Sequence, residues 1–177
     1  MKLEELDLAA NRLTQFPLLS VSESSLVELS IQNNQLVQLP ETIGQLGELR
    51  RLFCHNNQLR ELPTTIGDLP KLQILHLKGN QIKSLPDGLG DLDWLEELDL
   101  SDNGLKSLPE VICRLKNLKT LSLLNNRLEA LPEAMQSLGA LKSLDLRGNV
   151  FSERQEKRIK AQLPGCTVAF RDPDATG

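Results

Sequence analysis

The chain contains no tyrosine, one tryptophan and four phenylalanines among 177 residues, so an aromatic-anchored core is excluded. It has no excess of basic charge. Twenty Lys and Arg stand against 24 Asp and Glu, a net charge of -4 that argues against a general nucleic-acid binder. No apolar run approaches the roughly 18 residues of a membrane span. The opening MKLEELDL places charges where a secretory leader needs its apolar segment. Cysteine is scarce: Cys54, Cys113 and Cys166 are odd in number, far apart and in no metal-type pair. They are read as reduced, mostly buried thiols, with Cys54 a small core filler and Cys113, beside Arg114, partly exposed. G-x-x-x-x-G-K-[ST], G-x-S-x-G, H-E-x-x-H and C-x-x-C are all missing. The composition is that of a soluble, cytoplasmic chain with one core and no cofactor.

What the sequence has in abundance is leucine, 39 residues, at fixed intervals. Leu3, Leu26, Leu49, Leu72, Leu95, Leu118 and Leu141 are 23 residues apart, as are Asn11, Asn34, Asn57, Asn80, Asn103, Asn126 and Asn149. Pro17, Pro40, Pro63, Pro86, Pro109 and Pro132 keep the same interval. The unit is L-x-x-L-x-L-x-x-N-x-L-x-x-L-P-x-x-I-G-x-L-x-x. Its fourth and sixth positions alternate with polar residues, which predicts a short strand with one buried face. The ninth, asparagine, ends the strand, and its amide can satisfy backbone groups in a ladder from unit to unit. Proline at the fifteenth stops further pairing. The I-G-x-L segment then crosses the far side of the core as extended chain or a 3₁₀ turn. Pro every 23 residues excludes long helices. One unit cannot bury its own leucines, so units must stack.

These repeats resemble the leucine-rich repeat family. The L-P-x-x-I-G-x-L segment is similar to that of the intracellular class in bacterial repeat proteins and in Ras-suppressor and scribble-type signalling scaffolds. The expected fold is an α/β solenoid: a leucine-rich repeat horseshoe with a parallel concave sheet of seven repeat strands, an irregular or 3₁₀ convex side and a C-terminal helix–strand cap. Residues 1–149 hold the seven repeats, 150–170 the cap and 171–177 a frayed tail. Ser152 and Gln155 have capping-box spacing, Pro164 and Gly165 end a helix of about 11 residues, and CTVAF forms the last edge strand. This cap is similar to those of bacterial repeat proteins. Arg154, Lys157, Arg158 and Lys160 read as the solvated face of its helix. At the other end, Leu18, Leu19 and Val21 are expected to shift register and fill a gap left by Ser20 and Glu23. Leu6 and Leu8 are expected at an open strand edge, blunted by Glu4, Glu5 and Asp7. A longer parent chain, or cover by a partner or second copy, would explain that edge. A monomer is expected, with weak dimerisation through the edge as the alternative.

The third, fifth, seventh and eighth positions of each unit project from the sheet away from the core. Phe53, Ile74 and Leu124 have no need to be apolar there. Phe53 and Ile74 lie on neighbouring strands, ringed by Arg51, His55, His76 and Lys78, with Glu97, Asp99 and Asp102 as an acidic strip alongside. An apolar centre with a charged rim is the anatomy of a protein interface. A partner carrying a basic patch beside an apolar knob would complement it. A His55–His76–Asp99 metal site is geometrically thinkable, but contact or plain exposure is the preferred reading and no metal is expected. Trp94, on the outer side, is expected to pack along a neighbouring coil. The function expected is that of a non-enzymatic protein–protein interaction module, binding a protein or peptide on its concave face. The alternative is the recognition segment of a larger signalling enzyme or bacterial effector, a kinase or ubiquitin ligase, with catalysis outside this chain. The resemblance implies small GTPases, phosphatases or host proteins as partners, and no residue selects among them.

Overall fold

A computed structural model of the chain describes residues 2–16 and 25–171. The gap-filling expected of Leu18, Leu19 and Val21 lies outside the described residues, as does the tail from residue 172 onward. Position four of each repeat becomes the centre of a three-residue strand. These are β1 (Glu5–Asp7), β2 (Glu28–Ser30), β3 (Arg51–Phe53), β4 (Ile74–His76), β5 (Glu97–Asp99), β6 (Thr120–Ser122) and β7 (Ser143–Asp145). They pair in sequence order, all parallel, and β8 (Thr167–Ala169) extends the sheet to eight strands. The register keeps the 23-residue interval: Leu6, Leu29, Leu52, Leu75, Leu98, Leu121 and Leu144 stand side by side. Val168 completes the row beside Leu144.

Beneath the sheet the leucines close one continuous core. From the second to the sixth coil, positions one, four, six, eleven and twenty-one are at most 2% exposed, among them Leu49, Leu52, Cys54, Leu59 and Leu69. A leucine of this kind contributes about 1.5–3 kcal/mol when removed from water. Much of that burial is against the neighbouring coil, which is why the chain is stable only as a stack.

From the second coil to the sixth the linking proline caps a five-residue 3₁₀ turn: Glu41–Gln45, Thr64–Asp68, Asp87–Asp91, Glu110–Arg114 and Glu133–Ser137. These prolines supply a φ between -52° and -74° and the carbonyl that accepts the first turn hydrogen bond, as Pro63 O does from Ile66 N. The turns sit so close that the glycine at position nineteen is a steric requirement. A Cβ on Gly67 would lie 2.1 Å from the carbonyl oxygen of Gly88. In the last two turns the place is taken by Cys113 and Gln136, and Cys113 is buried rather than partly exposed.

The C-terminal helix α1 (Glu153–Gln162) begins with the expected capping box: Ser152 N donates to Gln155 Oε1, and Gln155 N to Ser152 Oγ. Ile159 and Leu163 point into the last coil, at 5% and 6% exposure. Phe151 and Phe170 meet edge to face over the same end, their ring centres 5.9 Å apart.

Candidate functional site

The strand positions flanking the buried leucines are turned to the concave side by simple alternation. Their side chains form three rows across the sheet, at positions three, five and seven. Two further devices hold those rows in place.

The first is the asparagine ladder, which works through the backbone. Asn57 Nδ2 donates to Cys54 O (3.0 Å) in its own coil and to Ile31 O (2.9 Å) in the preceding one. Its Oδ1 accepts from Leu36 N (3.0 Å), also in the preceding coil. Asn34, Asn80, Asn103, Asn126 and Asn149 repeat this pattern. Asn11 makes only the bonds within its own coil, to Leu8 O and Ala9 O.

The second device was not read from the sequence. Position eight, counted there among the contact residues, is left-handed in all seven coils: Ala10, Asn33, Asn56, Gly79, Asp102, Asn125 and Gly148 have φ between 51° and 68°. Asn, Asp and Gly tolerate that region best, so the composition of the column was the available signal. Its side chains also bond across coils, Asn56 to Asn33 Oδ1 and Asn125 to Asp102 Oδ1.

The centre of the concave face brings together most of the residues singled out from the sequence. Phe53 and His76 pack edge to face, ring centres 5.2 Å apart, and His55 lies 6.4 Å from His76. Ile74 is half-buried on β4, opposite Arg51 on β3. His76 Nε2 bonds Glu97 Oε1 at 2.7 Å, although Asp99 is its direct neighbour in the register. Arg51 Nε donates to Glu28 Oε2 at 2.5 Å, and Lys78 lies 3.5 Å from Asp102. Asp99 Oδ1 accepts from Ser101 N. The expected acidic strip is thus partly spent: Glu97 is held by His76, and Asp102 by Lys78 and Asn125. Leu124, half-buried on the sixth coil, stands apart from the Phe53 group.

His55 is held below its ordinary pKa, first by desolvation and then by the neighbouring His76 ring and Lys78, against the opposing pull of Asp99. Below pH 6.5 the unfolded chain takes up this proton before the folded one does. Stability therefore falls as pH drops through that window. The imidazole is neutral at pH 7, a hydrogen-bonding group rather than a charge.

Among the described residues no group of three or more His, Cys, Asp or Glu side chains is placed to hold a metal ion. Burial pushes the Cys54 thiol far up, and burial with Glu110 nearby lifts Cys113 to about 11, so neither is poised as a nucleophile. Gln32, at position seven one coil before His55, has a buried Oε1 without a hydrogen-bond partner among the described residues. Trp94, expected to pack along a neighbouring coil, is 60% exposed.

A leucine-rich repeat region model matches residues 6–103, and a second leucine rich repeat model matches residues 93–151. Among curated proteins, none matches. Solved structures do. A leucine-rich repeat protein of Leptospira interrogans is 41% identical, with a TM-score of 0.91 over 95% of this chain and 43% of its own. An internalin from Listeria monocytogenes is 26% identical, with a TM-score of 0.78 over 94% of this chain and 47% of its own. A plant peptide hormone receptor in complex with a peptide hormone is 27% identical, with a TM-score of 0.71 over 84% of this chain and 25% of its own. The chain spans less than half the length of each of these structures. No helix among the described residues is long and apolar enough to cross a membrane.

Proposed function

The chain belongs to the leucine-rich repeat family, and from that premise we propose that it is a non-enzymatic recognition module that takes a protein or peptide partner on its concave face. One observation carries this reading. Phe53 and Ile74 are half-exposed on neighbouring strands, in rows where packing of the solenoid asks for nothing apolar. They sit inside a frame of mutually bonded polar groups, Arg51 with Glu28 and His76 with Glu97. Apolar anchors within a polar rim are how interfaces concentrate their energy. The frame is also rigid, so little side-chain freedom is lost on docking. The peptide hormone receptor and the internalin support recognition as the kind of work this fold does. Three free thiols, two of them buried, support the cytoplasmic setting read from the sequence.

The test is a partner captured with this chain as bait, followed by the Phe53→Ala/His76→Ala double variant. Its affinity is expected to fall at least about tenfold, since truncating a central aromatic anchor typically costs more than about 1–2 kcal/mol. Undiminished affinity removes the site assignment. The longer relatives support a second reading, in which this module serves as the recognition segment of a larger signalling or effector protein.

A further inference from the structure

At four places in this molecule charges are matched from coil to coil. Glu28–Arg51, Glu48–Lys71, Asp91–Arg114 and Glu96–Lys119 are ion pairs, each joining residues 23 apart at the same repeat position. Other positions carry like charges in successive coils, as Asp87, Glu110 and Glu133 do at position sixteen, and one such row is cationic over three coils. Position twelve carries Arg60, Lys83 and Lys106 in three consecutive coils, on the flank where the chain leaves the sheet for the convex side. All three are exposed, and among the described residues none has a carboxylate within ion-pairing distance. Arg127, at position ten of the next coil, is likewise exposed and unpaired and lengthens the row. The backbone is stacked in register along this flank: Arg60 N donates to Val37 O (3.3 Å), Gln81 N to Leu59 O (2.8 Å) and Arg127 N to Leu105 O (2.9 Å).

Coils stack at about 4.8 Å, so cations at one position of successive coils repel. The four pairs above relieve that repulsion by alternating sign; the cations of this row have no such partner among the described residues. We propose that this flank docks an acidic segment of a protein partner lying across the coils, its carboxylates set against Arg60, Lys83 and Lys106. The row is narrow. Glu61 closes it beside Arg60 and Glu129 beside Arg127, and the whole chain carries a net charge of -4. A membrane or a nucleic-acid duplex, broad and uniformly anionic, would meet those carboxylates as well; a single acidic segment would not. Val37, 39% exposed and one coil before Arg60, offers that segment an apolar contact at its end. This surface is separate from Phe53 and does not depend on the concave-face reading.

The experiment follows a labelled decaglutamate peptide by fluorescence anisotropy against the full chain at low ionic strength. Binding is expected to weaken about tenfold in Lys83→Glu and to stay unchanged in Phe53→Ala. Lys83→Glu is also expected to raise the melting temperature by about 1–2 °C, because it restores opposite signs between adjacent coils. Equal decaglutamate affinity in Lys83→Glu, or a variant that melts no higher than the parent, overturns the proposal. So does tighter binding of decalysine, of phosphatidylserine vesicles or of duplex DNA than of decaglutamate.

Discussion

Asn80→Ala is expected to lower the stability of the chain by about 3–4 kcal/mol, among the largest losses any single side chain can cause here. Asn80 is 7% exposed. Its Nδ2 donates to Cys54 O at 3.1 Å and Leu77 O at 2.8 Å, and its Oδ1 accepts from Leu59 N at 3.0 Å. Alanine leaves Leu59 N buried without its acceptor, at about 1–3 kcal/mol, and takes one of two amide donors from each carbonyl, Cys54 O keeping Asn57 and Leu77 O keeping Asn103, at about 0.5–1.5 kcal/mol for each lost bond. Because two of the three bonds reach the preceding coil, the loss falls on the interface between coils as well as on the turn itself. For a domain of this size the melting temperature drops by about 6–12 °C, read by calorimetry or chemical denaturation. Asn80→Asp is the sharper version. It keeps the acceptor but turns a carboxylate oxygen toward two carbonyl oxygens, so it is expected to cost at least as much as alanine. Asn11→Ala is the control: it is exposed and bonds only within its own coil, and its loss stays under about 1 kcal/mol. Similar losses at the two positions would mean that the asparagines act as turn formers and not as cross-coil ties.

The second large effect is on the opposite side. Gly67→Ala adds one carbon, yet that carbon would lie 2.1 Å from Gly88 O and 2.7 Å from Gly88 C. Both obstacles are backbone, so no rotamer change relieves them. The turns Thr64–Asp68 and Asp87–Asp91 must move apart, at an expected cost of about 2–3 kcal/mol. Gly47→Ala meets nothing within 4 Å and is expected to stay within about 0.5 kcal/mol of the parent. A denaturation midpoint for Gly67→Ala that matches Gly47→Ala would show that the convex face gives way more easily than its geometry implies.

These two sites show what the residue spacing carries. The interval of 23 was enough to place the strands, the buried face, the prolines and the Asn ladder, because each rests on local periodicity repeated from coil to coil, while the C-terminal helix was legible from its own capping box and its Pro-Gly stop. The proline-linked turns were open between extended and 3₁₀ chain, and the structure chooses 3₁₀ in five successive units. The close approach behind Gly44, Gly67 and Gly90 was not legible, since it depends on how far one turn sits from the next. The left-handed column at position eight was visible in its composition, but the ninth position drew attention because its asparagine never varies. Ala10 adopts φ 54° without the usual residue type.

At the candidate site the sequence placed Phe53, Ile74, His55 and His76 on one face, and side-chain geometry decided the rest. Strand register puts Asp99 beside His76, yet the longer Glu97 side chain reaches the ring from 21 residues away. Asp102 was counted with the acidic contact residues, but its backbone is left-handed and its carboxylate meets Lys78 and Asn125. Trp94 was expected to be covered, and it is exposed. Such choices depend on side-chain length and rotamer, and a repeat alignment carries neither.

Hydroxyl-radical footprinting of the chain with its captured partner tests the central claim most directly. The account predicts that Phe53, His55 and His76 lose reactivity in the complex while Trp94 and Val150, exposed and off the concave face, keep theirs. Protection confined to the convex turns or to Trp94, with Phe53 and His76 as reactive as in the free chain, would contradict it.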